Sequence, residues 1–148
     1  MPSIIPAYIY TLFATIIVGA LLIYASNVST LNIENTADQQ QLKNLAEYVA
    51  AQSCELVSAA TVNNLTITST LSVPPNISNK EYWIQLTNDT FEAWVEVGFG
   101  TSPYPTETQI PVPMKASASG DYSSGSGKAF LECYANSTGT YLELSGGY

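Results

Sequence analysis

The side chains able to do chemistry in this chain are few and widely spaced. Twelve Asp and Glu residues stand against four lysines, Lys43, Lys80, Lys115 and Lys128, and there is no histidine or arginine. Without imidazole there is no ring nitrogen to activate a Ser or Cys nucleophile or to bind zinc, which removes the commonest hydrolase and zinc arrangements. Two cysteines alone cannot complete a structural zinc site. Glu92 with Glu96, and Glu132 with Glu143, are the carboxylate pairs that acid–base catalysis could use, but a solvated strand face explains them equally well. Gly120, Gly125 and Gly127 lack the Lys-Ser/Thr pair and following helix of a phosphate loop. Dispersed lysines at a net charge of −8 offer no basic patch, so nucleic acid is not an expected partner. No metal or cofactor is expected, and the chain reads as a non-enzyme.

Two residue sets remain with covalent possibilities. Cys54 and Cys133 are an even number in a chain that otherwise looks exported, so a disulfide between them is expected, with two buried free thiols as the alternative. Five Asn-X-Ser/Thr sequons begin at Asn27, Asn64, Asn76, Asn88 and Asn136. Asn64, Asn76, Asn88 and Asn136 fall near predicted strand ends and turns, where N-linked glycans are expected. Asn27 directly follows an apolar run and is the poorest candidate.

The elements that carry these residues divide the chain in two. Residues 4–25, IIPAYIYTLFATIIVGALLIYA, are long enough as a helix to cross about 30 Å of hydrocarbon, and the first charge is Glu34. Pro2 and Pro6 sit in the first turns, where a missing N–H is tolerated. Farther on, Leu42, Leu45, Val49 and Leu56 recur at helical spacing and predict an amphipathic continuation whose apolar stripe packs on the rest of the chain. Residues 26–35 between these stretches could be helical, kinked or unwound.

Beyond Ala60 the hydrophobic period changes to two. Leu65 to Val73 alternates as a strand. Tyr82, Ile84 and Leu86, then Phe91, Ala93, Val95, Val97 and Phe99, predict a hairpin, and Ala129 to Leu144 predicts a second. Thr108 to Met114 suits an edge strand because Pro111 and Pro113 are tolerated there. Ser102 to Pro105 and the Gly/Ser-rich segment 117–127 read as loops. Trp83, Trp94 and the tyrosines could form a sugar-stacking platform, although aromatic residues on strands more often serve as core or subunit contact. The expected fold is α+β: a long N-terminal helix over residues 1–60, and an antiparallel, immunoglobulin-like β-sandwich head over 61–148.

The apolar segment is the strongest functional signal. Leaving about a dozen large apolar side chains in water would forfeit roughly 1.5–3 kcal/mol each, more than the roughly 5–15 kcal/mol that stabilises a typical domain. The predicted contact surface comprises Ile4, Ile5, Tyr8, Ile9, Leu12, Phe13, Ile16, Ile17, Leu21, Leu22 and Ile23. It must lie in lipid or against copies of itself.

With the uncharged run IIPAYIYTLFATIIVGALLIYA, the continuation QQQLKNLAEYVAAQSCELVSAA and the ending GKAFLECYANSTGTYLELSGGY, the chain resembles the archaeal type IV pilins, with archaellins close in design. Ile5 stands where bacterial pilins carry a glutamate, which speaks against the bacterial branch. The resemblance implies a short basic leader cut by a membrane peptidase, a subunit held in the cytoplasmic membrane, and extrusion into an extracellular helical homopolymer, here expected to serve adhesion. A single-pass surface or viral envelope protein is the alternative. Such helices commonly carry basic residues on the cytoplasmic flank, yet none precedes Lys43.

Overall fold

The computed structural model describes residues 4–89, 92–101, 103, 108–113 and 115–147, with the backbone only at residues 4–7 and 63. Phe91, Met114 and most of the Ser102 to Pro105 loop therefore lie outside the described residues. Helix α1 runs without interruption over Ile4–Asn63, so residues 26–35 are helical. It ends where Asn64 turns into the left-handed region at φ 52°, and the Leu65 N–H reaches back to the Ala60 carbonyl at 3.4 Å.

Seven strands follow: β1 (Thr66–Leu71), β2 (Tyr82–Asn88), β3 (Ala93–Phe99), β4 (Gln109–Val112), β5 (Ser117–Ser123), β6 (Lys128–Asn136) and β7 (Gly139–Gly147). They are hydrogen-bonded in the order β1-β6-β7-β5-β2-β3-β4. The two hairpins, β2–β3 and β6–β7, form as the alternation predicts, and β4 pairs on one side only, through β3. Proline is accommodated at such an edge.

Of the Gly/Ser-rich segment 117–127 expected to be a loop, residues 117–123 form a central strand and only 124–127 turn. Ser117–Gly120 of β5 runs parallel to Tyr141–Leu144 of β7, whereas Asp121–Ser123 pairs antiparallel with Trp83–Gln85 of β2. One strand thus joins both halves of a sandwich-like head, and the sheet is mixed rather than wholly antiparallel. Gly120 sits at the change of partner with φ +109°, and a Cβ there would lie 2.1 Å from the Leu144 carbonyl oxygen. Only glycine provides both the backbone angle and the close approach. Ala118 and Tyr122 on either side are buried, so the strand is held by inward packing that its polar composition conceals.

The chain divides between Ala37 and Asp38, not at residue 60, because the second half of α1 belongs to the head. Leu42, Leu45, Val49 and Leu56 are all buried, together with Ala46, Ala50, Val57 and Ala60. They share one core with Ile84, Leu86, Val95 and Val97 of the β2–β3 hairpin and Leu131, Leu142 and Leu144 of the β6–β7 hairpin. The buried Ser53 hydroxyl donates to the Val49 carbonyl at 2.7 Å, so the stripe carries no unpaired polar atom there.

At the start of the packed helix, Asp38 is only 5% exposed. A tight turn with positive φ at Ser78 and Asn79 brings the Ser78 hydroxyl and the Lys80 ammonium to its carboxylate, each at 2.6 Å. The Lys80 ammonium and then the Ser78 hydroxyl hold the Asp38 carboxyl below its ordinary 3.8, outweighing the opposing effect of burial. Lys80 also lies 5.4 Å from the centre of the Phe99 ring.

Candidate functional site

Residues 8–25 of α1 are apolar around nearly the whole helix rather than along one stripe. Tyr8, Ile9, Leu12, Phe13, Ile16, Ile17, Leu21, Leu22 and Ile23 are between 48% and 72% exposed. The side chains of Ile4 and Ile5 lie outside the described residues, although their backbone is helical. The exposed surface also extends past Ala25 through Val28, Leu31 and Ile33. Their spacing of three and two among polar neighbours was the available sequence signal for this extension.

Three threonine hydroxyls in this half of α1 are satisfied by the helix's own carbonyls. Thr15 donates to the Thr11 and Leu12 carbonyls at 3.1 and 2.9 Å, Thr30 to Ser26 at 3.0 Å, and Thr36 to Asn32 at 2.8 Å. Hydroxyls satisfied by their own helix carry less of the several kcal/mol that an unsatisfied polar group costs in hydrocarbon. The helix is long and apolar enough to cross a membrane. Over residues 4–37 it measures about 50 Å at 1.5 Å per residue, more than the hydrocarbon core requires.

The expected disulfide is not formed: Cys54 and Cys133 are both free. Cys133 is buried on β6, opposite Ile67 of β1 and Leu142 of β7. The helix flank turned toward Ile67 carries Gln52, Glu55, Leu56 and Ala59. Cys54 instead borders an open apolar groove on the flank turned toward Pro113, just after β4. Cys54 thus borders the groove next to β4, the last strand of the order, whereas Cys133 lies on β6 next to β1 at the other end. Burial pushes the Cys133 thiol pKa up, which keeps it protonated and unreactive.

The sequons have unequal surroundings. Asn64 at the helix end and Asn76 before the Ile77 turn are exposed. Asn136 is exposed as well, with its side-chain Oδ1 accepting from the Thr138 and Gly139 N–H groups at 2.9 and 3.0 Å. Asn88 differs from the expectation of an accessible turn site. Its amide donates to the Asp89 carbonyl at 2.9 Å while its oxygen accepts from the Ala118 N–H at 3.2 Å, so it ties β2 to β5. Thr90, the last residue of that sequon, lies outside the described residues. Asn27 is exposed on the apolar helix.

Of the carboxylate pairs, Glu92 lies exposed just before β3, whereas Glu96, Glu132 and Glu143 lie on strands. Glu132 and Glu143 are cross-strand partners, both exposed, while Glu96 accepts from the Trp94 indole at 2.6 Å and the Gln109 amide at 2.8 Å. Among the described residues no group of three or more Cys, Asp or Glu side chains could hold a metal ion. Comparison with protein-family models, curated proteins and solved structures gives no match to this chain.

Proposed function

We propose that this chain is a structural subunit of an extracellular, type IV pilus-like filament that polymerises through the N-terminal part of α1 and serves surface adhesion. The carrying observation is the uncovered helix of residues 8–33, apolar on nearly every side through Ala25 and continued by the exposed Val28, Leu31 and Ile33. Before assembly the same segment would rest in the cytoplasmic membrane, and after it in the shared interior of a homopolymer. A long helix without charge before Glu34 can stagger along identical neighbours, giving the heterologous, non-closing contact a filament requires. N-linked glycans on Asn64, Asn76 and Asn136 would point outward. The role is structural rather than catalytic.

The test compares the full chain with a truncation beginning at Asp38, which keeps the buried stripe of α1. Full-length protein transferred out of detergent is expected to form filaments visible by electron microscopy. The truncated chain is expected to remain monomeric by light scattering. Filaments from the truncated chain would place the polymer contact in the head, and full-length protein that never polymerises would favour the single-pass membrane alternative.

A further inference from the structure

One end of the head carries a polar cleft of about 320 Å³, within the size range of small-ligand sites, roughly 300–1,000 Å³. Three separate segments build it: Asn88 and Asp89 after β2, residues 115–117 leading into β5, and residues 138–141 of the β6–β7 hairpin. The sheet order brings β7, β5 and β2 side by side, which is why segments distant in sequence meet here.

The walls are fixed by bonds already in place. Asn88 holds the Ala118 N–H at 3.2 Å, and Asn136 holds the Thr138 and Gly139 N–H groups and the Thr138 hydroxyl, the last at 2.5 Å. The Tyr141 ring is stacked on Tyr134, with centroids 4.9 Å apart and planes inclined by 12°. Its hydroxyl lies 3.4 Å from that of Thr138. Lys115 is exposed at the cleft, and neither ion pair found among the described residues uses it.

We propose that this cleft binds a terminal saccharide unit, with preference for a sugar bearing a carboxylate. A sugar ring presents C–H groups to an aromatic surface and hydroxyls to mixed donors and acceptors, and Tyr141, Ser117, Thr138 and Thr140 supply both kinds of partner. Lys115 supplies the charge that selects the acid, and the opposing Asp89 carboxylate on the same lining already accepts from the Glu92 N–H at 2.8 Å. A single cation is too little for a nucleic acid, whose binding rests on many phosphate contacts. The proposal rests on the adhesive role suggested above, to which it gives a ligand class, but not on the polymer contact.

The test titrates full-length protein in detergent with an oligogalacturonate trimer and, separately, with its neutral methyl ester, using calorimetry. Saturable binding of both is expected, with the acid tighter. Tyr141→Leu should weaken both by about three- to tenfold, and Lys115→Gln should abolish the preference for the acid. Lys128→Gln, away from the cleft, should change nothing. Absence of saturable binding by either trimer would overturn the proposal, as would binding that Tyr141→Leu and Lys115→Gln both leave unaltered. Since Lys115 is exposed, its substitution remains informative even where Tyr141→Leu impairs folding. A parallel assay retains assembled filaments on polygalacturonate-coated surfaces. Binding in solution without retention would uphold the cleft and count against adhesion, whereas retention without binding in solution would do the reverse.

Discussion

Replacing Gly120 by alanine tests the junction at which β5 changes partner. Two costs combine in that variant. The first is backbone: φ +109° is a region that L-residues rarely adopt, at a cost of order 1–3 kcal/mol. The second is steric, since the new Cβ would lie 2.1 Å from the Leu144 oxygen and 2.9 Å from its nitrogen, both backbone atoms in a paired strand. Forcing atoms into such a space typically costs another 1–3 kcal/mol or so. Gly100 is a matched control, with the same φ of +109° and nothing within 4 Å of its Cβ position. Gly100→Ala should therefore incur the backbone cost alone. At about 4–8 °C per kcal/mol for a domain near 100 residues, Gly120→Ala should melt about 5–20 °C below Gly100→Ala. The assay is thermal unfolding of both variants and the parent in the same detergent, followed by near-ultraviolet circular dichroism of the tryptophans and tyrosines. Melting points within about 2 °C of each other would refute the β5–β7 register, because the clash exists only if Gly120 lies against Leu144.

Asp38 ties the packed half of α1 to the Ser78–Lys80 turn, and its lowered pKa makes its stabilising effect depend on pH. Because the folded value lies below the unfolded one, the contribution is complete above the ordinary carboxylate value and fades as pH falls through the lowered one. Asp38→Asn should accordingly lower the urea midpoint at pH 7 and narrow its gap to the parent below about pH 3, and an unchanged gap across that range would count against the ion pair. For glycosylation, peptide mass spectrometry of native material should find Asn64, Asn76 and Asn136 modified and Asn88 largely bare, because both functions of the Asn88 amide are engaged.

Much of this architecture is written locally in the sequence. The uncharged run through Ile23, the three-and-four spacing of Leu42, Leu45, Val49 and Leu56, and the alternation in Tyr82–Phe99 each reflect a repeat that one element imposes on its own side chains. The hairpins follow because their partners are neighbours in the chain. The uncovered helix was equally legible, since no head of this size could enclose so many apolar groups in addition to its own core.

What only the tertiary structure decided concerns partners far apart in sequence. Segment 117–123 has the composition of a loop, yet it becomes a central strand because β7 and β2 supply hydrogen bonds on either side and Ala118 and Tyr122 face the core. Whether Cys54 could pair with Cys133 depended on which flank of α1 meets which edge of the sheet, and helical periodicity fixes a face without naming its neighbour; both thiols are free. Asn88 looked like an exposed turn residue until the Ala118 N–H arrived from thirty residues away. The cleft around Tyr141 has the same origin. Periodicity is a property of one segment, whereas strand order and side-chain pairing come from the packing of all segments into one core, which no single stretch of the chain contains.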